Sequence, residues 1–151
     1  MGLNDLIPDP DGYPTKEDAV VRYLVSHLSE EYDQISRASS GPQTQNIDLL
    51  AECDDHLLGV EVKADNPGHR QGQAYQAIGQ ILYRMDLEDV EREDQRPAVA
   101  FPREIDSSEP FKTLLNEKFS AGILERNSIW TILVDEQGYD EYPPGTLGSS
   151  P

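Results

Sequence analysis

Three side chains in one short stretch have the types and spacing that phosphoryl chemistry requires: Asp48, Glu61 and Lys63. They lie in NIDLLAECDDHLLGVEVKADNPGHRQGQAYQAIGQILY, residues 46–83, which reads as strand, tight turn, strand, loop and long helix. A strand turns alternate side chains to opposite faces, so Glu61 and Lys63 share one face and Val60 and Val62 the other. A hairpin through Asp54 and Asp55 brings Asp48 back beside them. Two carboxylates and an ammonium at one sheet edge suit Mg²⁺, a hard cation that takes one or two protein carboxylates and keeps several waters. Such an ion polarises a phosphoryl oxygen and lowers the pKa of a bound water. Lys63 then orients that water or neutralises charge growing on phosphorus. The chemistry implied is hydrolysis of a phosphodiester.

Charges at alternate strand positions more often mark a solvated face. Two features oppose that use here. Leu57-Leu58-Gly59-Val60 is apolar on both faces, as an interior strand is, and lysine is scarce, with only Lys16, Lys63, Lys112 and Lys118 in the chain.

The pattern D-x(12)-E-V-K, Asp48 then Glu61-Val62-Lys63, resembles the PD-(D/E)XK nuclease superfamily over roughly Thr15 to Asp135. The residue before Asp48 is Ile47 rather than proline, a departure many members share. The resemblance implies an α/β fold with an α-β-β-β-α-β restriction-endonuclease-like core, its mixed central sheet flanked by helices. It implies Mg²⁺ or Mn²⁺ as cofactor, with Asp48, Glu61 and the Val62 carbonyl as ligands and Lys63 as the charge-stabilising group. It implies nucleic acid, DNA first, as substrate, and attack on phosphorus by a water that the metal activates. A first-helix glutamate often completes the site in this superfamily, and Glu17 is the best-placed match; its other use is to favour the helix N-terminus electrostatically. Several of these nucleases also place a glutamine of the following helix over the site. Gln76 and Gln80 are the candidates, and the choice stays open because the Q-x-x-x-Y pattern fails: four residues before Tyr83 stands Gly79.

Composition bounds the rest. With 151 residues the chain suits one domain. Its net charge is −17, from 29 acidic and 12 basic residues. Excess acid with little lysine resembles the surfaces of salt-in halophilic proteins, where a Debye length of about 3 Å at 1 M salt screens self-repulsion. Such acidity is awkward for binding nucleic acid, which ordinarily draws affinity from basic groups. The lone cysteine, Cys53, excludes an internal disulfide and a cysteine-based metal site and reads as a small packing residue. No apolar run is long enough to span a membrane, and the N-terminus lacks a signal-peptide pattern; a cytoplasmic location is expected.

Three segments follow: an irregular Pro/Gly-rich arm at 1–14, the nuclease-like domain at 15–135 and a flexible tail at 136–151. Within the domain the expected order is α-β-β-β-α-β-α-β. Val21, Leu24, Val25 and Leu28 form the stripe of the first helix. The long helix runs from Gln71 to about Arg92, another helix from Pro110 stops at Gly122, and Pro97 suits an edge or a strand beginning. His56 reads as a solvent-facing turn residue, His69 and Arg70 as loop groups able to approach a phosphate, and Trp130 as core or a base-stacking platform. No separate DNA-reading domain is visible, so a homodimer or a targeting partner subunit is expected to supply recognition. From a different class, a non-catalytic module of this fold that binds nucleic acid or a protein partner is the alternative.

Overall fold

Hydrophobic patterning alone accounts for the main elements. In the structure, a computed structural model, residues 17–37, 47–66, 68–84, 94–103 and 110–147 are described. The expected N-terminal arm, the helix cap at Thr15, the loop at 39–43 and the helical stretch beyond Arg84 lie outside them. Helix α1 (Glu17–Leu28) buries Val20, Val21, Leu24 and Leu28, the i, i+3, i+4 spacing of one helical face. Strands β1 (Gln34–Arg37), β2 (Leu49–Glu52) and β3 (Leu57–Val62) follow as an antiparallel meander. Then come α2 (Arg70–Arg84), β4 (Gln95–Pro102), α3 (Pro110–Lys118), β5 (Trp130–Val134) and β6 (Tyr139–Tyr142).

The six strands form one mixed sheet in the order β1-β2-β3-β4-β5-β6. β3, β4 and β5 are parallel, so each pair needs a helical crossover. Both crossovers are made in the same direction along the sheet. Right-handed connection therefore puts α2 and α3 on one face, where Ala77, Ile78, Ile81, Phe111 and Leu115 pack on Val99 and Phe101. α1 covers the other face, against Leu58, Val60, Val62, Ala98 and Ala100. The α/β class and the flanked mixed sheet match expectation, and β3 is interior as its apolar run indicates. β4 is interior too, so Pro97 is not at an edge; it stands near the strand start, before the β5 ladder opens at Ala98.

Two differences have clear causes. The chain does not stop at Gly122 but continues α3 through a π-helical turn (Ser120–Leu124), in which Leu124 N donates to Phe119 O at 3.2 Å. The extra residue of a π turn brings positions five apart toward one side, and Phe119 and Leu124 are both buried. After Asp135, where only an irregular tail was expected, β6 pairs antiparallel with β5, and Tyr142 and Leu147 join the core. Four residues, Tyr-Asp-Glu-Tyr, are too few to display a period, and their charges suit an edge strand.

Candidate active site

The carboxylate pair is positioned by strand register. Leu49 pairs with Val60 and Leu50 with Gly59, and extending that register by one residue sets Asp48 opposite Glu61. β2 starts only at Leu49, so no backbone ladder reaches Val62. The Asp48 side chain takes over there: Val62 N donates to Asp48 Oδ2 at 2.8 Å. Val62 itself is fully buried beneath α1. Glu61 is fully buried on the α2 side of β3, and Lys63, half-buried, stands one residue past the strand. Lys63 N donates to Ala100 O at 3.0 Å, which ties its backbone to β4.

Glu17 enters from the other layer. It heads α1, and its carboxyl lies within electrostatic reach of both Asp48 and Lys63. Burial first, then the negative charge of Asp48, hold that carboxyl above its ordinary range, while Lys63 pulls it back and Asp18 adds to the rise. Helix α1, the β2 start and the β3 end thus bring Glu17, Asp48, Glu61 and Lys63 to one place. Among the described residues no three His, Cys, Asp or Glu side chains cluster closely enough to hold one metal ion. The donors that the resemblance implies are the two strand carboxylates and the Val62 carbonyl. These are hard oxygen donors, a set that fits Mg²⁺ or Mn²⁺ when waters complete the shell.

The loop after Lys63 is held by residues the sequence did not single out. Gln73 Nε2 donates to Ala64 O at 2.6 Å, and its Oε1 accepts from Asn66 N at 3.1 Å. The loop turns into α2 at Gly68, whose φ of +90° favours glycine. Because α2 runs back antiparallel to β3, its first turn is the part nearest Lys63. Gln80 lies seven residues on from Gln73, about 10 Å farther along the axis. Gln76 is exposed. Gln80 Oε1 is buried with no hydrogen-bond partner among the described residues. That helix geometry was the available signal for Gln73.

Other polar groups have partners of their own. Arg70 grips the buried Asp65 bidentately at 2.6 and 2.8 Å, so its guanidinium anchors the loop rather than facing outward for a phosphate; His69 is exposed. His56 is not solvent-facing. It is half-buried, and its Nε2 shares a hydrogen bond with the Tyr32 hydroxyl at 2.7 Å. Burial, then the negative charge of Glu141, pushes Tyr32 up to about 12. Burial and then Arg96 hold His56 below its ordinary value. Cys53 packs beside it, Sγ 3.7 Å from His56 Nδ1. Trp130 is covered rather than open to a base, with the Arg96 guanidinium 3.9 Å from its ring centre. Among the described residues no helix is long and apolar enough to cross a membrane.

This six-stranded mixed sheet flanked by helices is shared with two solved structures. An fdxN element excision controlling factor protein from Anabaena variabilis superposes with a TM-score of 0.59 at 21% identity, over 83% of this chain and 98% of that one. An XisH family protein from Nostoc punctiforme does so with a TM-score of 0.56 at 18% identity, over 84% of this chain and 98% of the other. At these identities the likeness is one of fold. No family model matches the chain, and no curated protein matches it in sequence.

Proposed function

We propose that the protein is a metal-dependent nuclease that hydrolyses phosphodiester bonds of DNA. The observation that carries this is the meeting of Asp48, Glu61 and Lys63 at the ends of two adjacent sheet strands, with Glu17 brought to the same place from α1. Asp48 Oδ1, Glu61 and the Val62 carbonyl are the groups that would hold the cation. Bound there, Mg²⁺ or Mn²⁺ supplies Lewis-acid polarisation of a phosphoryl oxygen and a more acidic water. Lys63 places a positive charge where the phosphorane builds negative charge. Gln73 and the Arg70–Asp65 pair keep the Lys63 loop rigid, so this charge is in position before substrate arrives. Glu17, with its raised proton affinity, is suited to taking a proton from the attacking water. One fold neighbour is an excision controlling factor; a DNA-directed role, in repair, restriction or structure-selective cleavage, is consistent with that.

A second reading draws on the same neighbour. A controlling factor is described by regulation, and a chain of net charge −17 is poorly suited to holding DNA on its own. In that reading the domain is a non-catalytic module that binds nucleic acid or a protein partner. The test is cleavage of plasmid, single-stranded and branched DNA, and of RNA, with Mg²⁺ or Mn²⁺ in molar KCl. Cleavage that requires metal and disappears in both Lys63→Ala and Asp48→Ala establishes the nuclease. Folded protein that binds the cation and cleaves nothing establishes the module.

A further inference from the structure

Charged residues make up 27% of this chain, yet α2 carries none from Gln71 to Tyr83. That stretch is not simply buried. Ala74, Ala77, Ile78 and Ile81 face the core, while the opposite pole (Gly72, Gln76, Gly79 and Tyr83) is exposed. A side chain added at Gly72 or Gly79 would meet nothing within 4 Å among the described residues, so no described element needs either glycine for close packing. Glycine inside a helix costs about 1 kcal/mol relative to alanine, so the pair weakens α2 with no return inside the protomer.

Apolar surface gathers at this pole and along its flank. Tyr83 is 72% exposed, Tyr75 53% and Leu82 43%; with Ile123, 36% exposed, they are the exposed large hydrophobic residues among the described ones. Tyr75 meets Phe119 edge-on at 4.9 Å, which joins the helix face to the π-helical turn that carries Ile123. Exposed apolar groups collected in one place mark an interaction surface.

We propose that this face of α2 pairs with the same face of a second copy of the chain, around a two-fold axis. Charge selects the occupant. Nucleic acid needs basic groups, which the face lacks. A basic protein would be drawn to acidic surface elsewhere on a chain of net charge −17. A second copy carries that same charge, so two copies repel wherever carboxylates meet and least where neither has any. A glutamine amide both donates and accepts, so Gln76 can bond to its own symmetry mate. The glycines let the two backbones approach. A helix of this length spans about 22 Å. With the π-helical turn beside it the patch falls short of the roughly 800 Å² per partner of a standard interface. The dimer is therefore weak and concentration-dependent, and salt strengthens it by screening repulsion. It holds whether or not the carboxylate site cleaves anything.

Sedimentation velocity across the micromolar range, in low salt and in molar KCl, tests this. The expected result is a monomer–dimer equilibrium, tighter in KCl. Gly79→Glu and Tyr83→Glu should weaken it by about tenfold or more through like-charge juxtaposition. Gly79→Ala should weaken it too, although alanine strengthens the helix, which separates a lost contact from a lost fold. Gln137→Glu, in the β5–β6 turn, should leave the dimer intact. A monomer at every concentration in both salts, or a dimer indifferent to the Gly79 and Tyr83 variants, overturns the proposal.

Discussion

Asp48 makes one bond in this structure and has a second task in the proposed function, and two substitutions separate them. Its Oδ2 accepts from Val62 N at 2.8 Å, a charge-assisted bond to a fully buried residue. Such bonds contribute roughly 1.5–3 kcal/mol. In Asp48→Ala the Val62 N–H loses its acceptor and no backbone replaces it, so the destabilisation should be about 2–3 kcal/mol. In Asp48→Asn the amide oxygen still accepts, as a neutral group, and the cost should be about 1 kcal/mol or less. For a chain of this size the melting temperature falls about 2–4 °C per kcal/mol, so the alanine variant should melt well below the asparagine one. Urea unfolding in molar KCl, read as a change in midpoint at constant slope, measures the gap. Both variants, in contrast, should lose cleavage alike, by a factor of about 10² or more, because each removes the anionic ligand. Equal stability losses would refute the strand-continuing role of the carboxylate. An asparagine variant that still cleaves would refute its role in the site.

Glu17→Gln should make the protein more stable at neutral pH and less active: its folded-state pKa is raised, chiefly by burial and Asp48, so wild-type stability falls as pH rises from the unfolded pKa through the folded one. NMR titration should show the Glu17 pKa moving down in Asp48→Asn and up in Lys63→Met; no change in either would mean the three groups are not neighbours. Asp135→Ala should cost about 3 kcal/mol, since it removes the 2.9 and 3.2 Å bonds from Arg103 and the turn bonds from Gln137 N and Gly138 N; the loss is capped because Arg103 keeps Asp140 at 3.1 Å, and a loss under about 1 kcal/mol by urea unfolding would contradict this account.

What could be read in advance follows the range of each interaction. Most of the α1 stripe and the interior character of β3 are set by residues within a turn or two of one another, and the structure has both, with Val20 buried where Val25 is only partly so. The hairpin that carries Asp48 to Glu61 is likewise local. Long-range pairings were opaque. Tyr32 with His56 and His27 with Asp135 join residues far apart in the chain and leave no local pattern. Arg70 looked available because its partner, Asp65, is chosen by loop geometry, which sequence does not display. Gln73 was passed over in favour of Gln76 and Gln80 because a stripe of glutamines gives a helix face but not the height of each residue above the sheet.

The position of β3 governs when the site can exist at all. The carboxylate pair sits at the β2–β3 end of the β1–β2–β3 meander, where β3 is an edge strand until β4 pairs with it. β3 gains its second neighbour only when β4 arrives, after the whole of α2, with Lys63 N bonded to Ala100 O. A chain still emerging during synthesis, complete through Lys63 but not through Pro102, holds Glu17, Asp48, Glu61 and Lys63 but lacks the parallel half of the sheet. On the proposed function, cleavage would be deferred until β4 closes against β3, which would spare the nucleic acid around an unfinished chain.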